Sequence, residues 1–246
     1  MGLLKVYRTK GWIHLLGLSL LGYFLQRNTL SPHLLAILIT SSLLLAYAFS
    51  LNDFFDKRLN KKGIILPLIP LFLLIPFLLY FKSTEKILIL TFLFISTTYS
   101  LPKIRLKSVP FVCTLWNAFG FSTFFLLGIN YFSKESLILL SILFLLLFIA
   151  QLIHEIAHQE EDKNTNTRTT TLFLGERKTK QLCCIGFLFV SLLSFFFNTA
   201  VAILICTYSA YFIISIWKKK GEKLREEYRK FGIIVGILIL VYLIIR

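Results

Sequence analysis

The sequence predicts an all-α membrane protein of nine transmembrane helices, and three observations carry that prediction. Of its 246 residues 57% are apolar and only 16% charged, whereas a soluble domain carries about 25% charged residues. The apolar residues fall in long uninterrupted runs, the pattern of a chain solvated by lipid. The basic residues, which give a net charge of +15, collect in alternate gaps between those runs. A bilayer span takes about 20 residues. The length is therefore filled by spans and short loops, and residues 1–246 read as a single polytopic domain.

The runs lie at about residues 11–26, 33–52, 63–81, 86–101, 109–132, 136–157, 181–197, 199–217 and 231–245. Basic residues precede the first, but Gln26-Arg27-Asn28 after it offers no small-residue cleavage site, so it reads as a helix rather than a leader. Pro67, Pro70 and Pro76 predict a kink in the third. As one helix, the seventh and eighth would reach about 55 Å against a hydrocarbon core of about 30 Å, so the chain turns between them, at Asn198. Nine spans put the N-terminus and every second loop on one side. That side holds 22 of the 27 Lys and Arg, which predicts a cytoplasmic N-terminus and an outside C-terminus. The positive charge then serves orientation and contact with anionic lipid headgroups, as in the run Lys218–Lys230, and nucleic acid is not an expected partner. Cys113, Cys183, Cys184 and Cys206 lie inside apolar runs and read as small core residues. Asn117, costly in lipid, is expected to face a cavity or a neighbouring helix.

Six of the twelve acidic residues form two clusters, each ending a helix on the basic side. The first places Asp53, Asp56 and Asn60 at spacings of three and four, on one helical face, with Asn52 beside them. The second places Glu155, His158 and Asp162 at the same spacings, 102 residues later, as an internal repeat would. A carboxylate at a membrane helix end needs compensation. Divalent cations held between two such ends suit a diphosphate, because Mg²⁺ is usually bound by one or two carboxylates together with substrate phosphate oxygens. Lys103, Arg105, Lys107, Lys163 and Arg168 lie on the same side and can meet the remaining negative charge. Arg8 and Lys10 can reach a diphosphate or simply anchor the first helix.

Asn52-Asp53-x-x-Asp56 at the end of the second run, Tyr99-Ser100-Leu101-Pro102-Lys103-Ile104-Arg105-Leu106-Lys107 after the fourth, and the acidic segment after the sixth followed by Arg168-Thr169-Thr170 and Leu174-Gly175 resemble, in order and placement, the UbiA superfamily of intramembrane prenyltransferases. The resemblance implies a bundle around a cavity open to lipid, capped by cytoplasmic loops. It implies transfer of an isoprenoid chain from a prenyl diphosphate, ionised with the help of Mg²⁺, to a hydrophobic acceptor. On it, Asn52, Asp53 and Asp56 form a first metal half-site with Asn60, and Glu155 and Asp162 a second. Tyr99 and Lys103 resemble the family's pair near the diphosphate. Where the family usually has Asp, this chain has Asn60, Glu155 and His158, and it lacks the usual Asn-Arg-Pro stretch. Imidazole is a poor Mg²⁺ ligand. The second half-site is accordingly weaker, selective for another ion or inactive, or else His158 is the base that takes a proton from the acceptor. No residue selects the acceptor, and an inactive lipid-binding or transport relative is the alternative.

Overall fold

The computed structural model describes residues 7–56, 61–165 and 167–246, with no account of the side chains at 61 and 62, and every regular element among them is helical. After a short turn, Thr9–Trp12, the helices are α1 (Leu16–Gln26), α2 (Pro32–Phe55), α3 (Ile65–Tyr80), α4 (Ser83–Ser100), α5 (Val112–Gly128) and α6 (Lys134–Ala157), then two short ones, α7 (Gln159–Asn164) and α8 (Thr170–Leu174), and finally α9 (Glu176–Ser194), α10 (Thr199–Lys218) and α11 (Gly221–Ile245). Each apolar run of the sequence falls on one helix, save the first, which begins in the short turns ahead of α1. Four of them, α2, α6, α10 and α11, are long and apolar enough to cross a membrane, and α3 and α5 are shorter apolar helices.

Helix ends follow local chemistry. Ser31 accepts from the Leu34 N–H at 3.4 Å with Pro32 in the first turn of α2, and Asn198 Oδ1 accepts from the N–H groups of Ala200 and Val201 at 2.9 and 3.4 Å. The chain thus breaks at Asn198, as its length requires. In α3, Pro67 lies in the first turn, where a missing N–H costs nothing, while Pro70 and Pro76 lie inside the helix. The one large departure from the sequence reading is α11, which begins about ten residues before its apolar run, in the charged stretch read as an anchor. Its Glu, Lys and Arg residues are good helix formers, and Leu224 and Tyr228, one turn apart, bury a face.

The chain divides into two compact units, Met1–Arg105 with Thr123–Asn130, and Leu106–Ser122 with Tyr131–Arg246. In the first, α2 packs on α1, α3 and α4. Gly22 of α1 meets the last turn of α5 backbone to backbone: a Cβ at Gly22 would lie 2.1 Å from the Phe125 carbonyl oxygen, and one at Gly128 would lie 2.4 Å from that of Ser19. Small residues permit this approach between membrane helices. Arg27 secures the same end, donating to the Gly128 carbonyl at 2.8 Å and to Asn130 and lying over the Tyr23 ring. In the second unit α6 packs against α9 and α11, and Phe187, Tyr208, Phe212 and Tyr228 form an aromatic core. Tyr228 donates to the Leu146 carbonyl at 2.8 Å, so its buried hydroxyl is paired.

Candidate functional site

In the first unit the C-terminal turn of α2 carries Asn52, Asp53 and Asp56. The Asp56 N–H closes the helix on the Asn52 carbonyl at 2.9 Å. Asp53 is buried, and its Oδ1 accepts from Arg8 Nη1 at 3.0 Å. Arg8 reaches it from a left-handed backbone (φ 51°), with its guanidinium 5.7 Å over the Phe49 ring. Ser100 at the end of α4 donates to Asn52 Oδ1 at 3.4 Å. This bond ties the first acidic motif to the segment bearing Tyr99, which is half-buried, and Lys103 and Arg105, in the loop beyond α4. Arg105 also has positive φ (40°). Strained residues of this kind cluster at functional sites. Asn60 lies outside the described residues.

In the second unit Glu155, near the end of α6, is only 1% exposed. Its Oε1 accepts from Thr114 Oγ1 at 2.9 Å, Gln151 Nε2 at 3.4 Å and Cys113 Sγ at 3.5 Å, and its Oε2 from the Thr171 N–H at 3.0 Å. Thr114 is also 2.7 Å from Thr170 Oγ1, which accepts from the Phe111 N–H at 2.9 Å. Phe111 has positive φ (62°). One carboxylate thus gathers α5, α6 and α8, and a polar chain extends through Gln151 to Asn117, the neighbouring-helix partner expected for that residue. Cys113 is a core residue, but one that touches the carboxylate.

His158 caps α6 with both ring nitrogens engaged. Arg225 Nη1 lies 2.6 Å from Nε2 and Glu161 Oε2 lies 2.9 Å from Nδ1. Arginine only donates, so Nε2 accepts and Nδ1 carries the proton toward Glu161. Asp162, on α7, is half-buried. Burial first, and then the charge of Glu155, push its carboxyl up to about 6, against the pull of Lys107. Lys107 and Asp162 are therefore close enough to interact, whereas Lys163 and Arg168 are exposed. Ser108 Oγ, Thr169 Oγ1 and Thr171 Oγ1 are buried with no hydrogen-bond partner among the described residues.

These groups fit Mg²⁺ unequally. Asp53, Asp56 and Asp162 offer the hard oxygens it takes, and burial and Glu155 hold the Asp162 carboxyl up despite Lys107, a balance that a cation would reverse. Ser108 and Thr169, next in sequence to Lys107 and Arg168, keep hydroxyls without a partner among the described residues. The oxygens of Glu155 are already taken by four donors, and His158 has no nitrogen to spare. Within either unit, no three described His, Cys, Asp or Glu side chains gather as a metal cluster. A donor set this sparse suits an ion that completes its shell on a substrate.

Sequence reasoning missed Arg225, Thr114, Gln151 and the Thr171 N–H. Arg225 sits in a charge run, and the donors to Glu155 are ordinary polar residues far away in sequence.

The family model for the UbiA prenyltransferase family matches residues 60–238, which takes in the second acidic segment but not Asn52, Asp53 and Asp56. The fold is similar to that of a UbiA homologue from Archaeoglobus fulgidus bound to GPP and Mg²⁺, with a TM-score of 0.80 and 17% identity over 99% of each chain. The same homologue bound to DMAPP and Mg²⁺ gives 0.81 and 17% over 98% of each. A structure concerned with digeranylgeranylglyceryl phosphate synthase in membranes gives 0.76 and 17% over 99% of this chain and 98% of that one. No curated protein matches the chain in sequence.

Proposed function

From a chain that belongs to the UbiA prenyltransferase family, we propose an intramembrane prenyltransferase that moves an isoprenoid chain from a prenyl diphosphate to a hydrophobic acceptor. The observation that carries this reading is the ion pair of Asp53 with Arg8 at the end of α2, with Asp162, on α7, within reach of the charge of Lys107. On this reading nine of the described helices, all but the short α7 and α8, cross the membrane, with the N-terminus cytoplasmic and the C-terminus outside. Asp53 and Asp56, with Asn60, and Asp162 hold Mg²⁺ on the diphosphate. Bound there, Mg²⁺ acts as a Lewis acid on the departing diphosphate.

The chain's own residues do the rest. Lys103, Arg105 and Lys107, with Lys163 and Arg168, present positive charge where the diphosphate gains negative charge, and Tyr99 lies beside them. Asn52, held by Ser100, orients the end of α2. Glu155 holds the first turn of Thr170–Leu174 and so positions the segment that carries Arg168. Apolar helix faces exclude water from an allylic cation. With His158 engaged by Arg225 and Glu161, its role is positioning rather than proton removal.

A second reading has an observation of its own. Glu155 and His158 are both committed to protein partners, which suits a relative that binds a prenyl diphosphate without turning it over. Two measurements separate the possibilities. Asp53→Asn or Asp56→Asn abolishes Mg²⁺-dependent binding of a prenyl diphosphate, and unchanged binding rejects the site. Release of diphosphate by the wild-type chain identifies an enzyme, and binding without release across several acceptors identifies a binder.

A further inference from the structure

Arg225 belongs by sequence to a run of positive charge at the membrane surface, yet its guanidinium is turned to the second acidic segment. Gly221, with φ 32°, starts α11 against the end of α6, where a Cβ would lie 3.6 Å from the Cα of Ala157. One turn later, Arg225 Nη1 donates to His158 Nε2 at 2.6 Å and to Glu222 Oε1 and Oε2 at 3.0 and 2.9 Å. These three bonds use one nitrogen. Nε and Nη2 make no hydrogen bond among the described residues, and the side chain is 29% exposed. One edge of the guanidinium is fixed while the other is open, the form in which arginine grips phosphate oxygens in pairs.

The residue that holds Arg225 explains why it is there. A carboxylate at 158 would be an oxygen ligand for Mg²⁺, but the imidazole offers its Nε2 lone pair to a guanidinium instead. The charge that a cation would bring beside a carboxylate is here built into the chain, permanently and without a metal. Resting on the reading under Proposed function, we propose that Arg225, held by His158 and Glu222, binds the diphosphate at the second acidic segment, so that the chain uses one divalent ion where two acidic half-sites would use two.

The test counts metal. The full chain in lipid nanodiscs is titrated with Mn²⁺ in the presence of geranyl thiolodiphosphate, and bound Mn²⁺ is read by electron paramagnetic resonance, with thermal melting as the check on folding. One Mn²⁺ per wild-type chain is expected, and two in the His158→Asp, Arg225→Ala double variant. Arg225→Gln weakens the thiolodiphosphate by about ten-fold or more, the size of one charged hydrogen bond, and Arg225→Lys recovers part of that loss without changing the metal count. Two Mn²⁺ in the wild type, a double variant that melts normally and still holds one, or an Arg225→Gln chain that binds as tightly as the wild type each overturn the inference. A wild-type chain that holds no Mn²⁺ with the thiolodiphosphate overturns the reading of the site beneath it, and the inference with it.

Discussion

Arg8 Nη1 stands 3.0 Å from Asp53 Oδ1, so a guanidinium from ahead of the first helix holds the carboxylate at the end of the second. A cation binding at Asp53 competes with it. The Arg8 side chain is 42% exposed, and such pairs contribute about 0.2–1 kcal/mol. Arg8→Gln is therefore expected to tighten Mn²⁺ binding without diphosphate by about two- to five-fold, read by calorimetry. With a prenyl diphosphate present the same variant weakens binding, because Arg8 is released toward the phosphate. A single direction of change under both conditions contradicts this exchange.

Asp162 carries a pH dependence whose sign is fixed by its environment. Burial and Glu155 raise its carboxyl to about 6 from an unfolded value of 3.8. A raised carboxyl stabilises the metal-free fold fully below about pH 4, and that contribution is lost as pH rises through about 6. Metal binding runs the other way, since protons and cations compete for the same oxygens. Mn²⁺ affinity should fall below pH 6, and Asp162→Asn should flatten that fall while leaving the metal-free melting temperature equal or higher above pH 6.

Glu155 differs from Asp162 in kind, and substitution separates them. Glu155→Ala leaves the Thr171 N–H and the donors on Thr114 and Gln151 without an acceptor. Each unsatisfied buried group costs about 1–3 kcal/mol, so a loss of about 3 kcal/mol in unfolding free energy is expected. The measurement is thermal or chemical unfolding in detergent. A Glu155→Ala chain that melts like the wild type would remove the anchor role.

How far the sequence was legible depended on what each signal reports. Hydropathy located the long helices because lipid leaves no other way to satisfy a backbone, and span length required the break that Asn198 marks. The same measure hid the first half of α11, where charged residues look like a loop and only Leu224 and Tyr228 reveal a buried face. Spacing singled out Asp53, Asp56, Glu155, His158 and Asp162 as candidates but not their surroundings. It grouped Glu155 with the metal ligands and left His158 as a poor ligand or a base, whereas Glu155 is enclosed by donors from α5, α6 and α8 and His158 is engaged by Arg225, 67 residues away in sequence. Contacts over such separations leave no periodicity to read.

The approach of α1 to the last turn of α5 makes a prediction independent of function. Gly22→Ala puts a methyl group 2.1 Å from the Phe125 carbonyl oxygen, and the backbones must part. Overpacking of this kind costs about 1–3 kcal/mol. Gly17→Ala is the control, since a Cβ there meets nothing within 4 Å, and it should be neutral or stabilising by up to about 1 kcal/mol. Melting temperatures of the two variants in one detergent check the contrast.

The diphosphate site proposed at the end of α2 is tested most directly by a cryo-electron microscopy map of the chain with Mg²⁺ and a prenyl thiolodiphosphate. A diphosphate held through Mg²⁺ by Asp53 or Asp56 is expected. A diphosphate bound away from both carboxylates would contradict it.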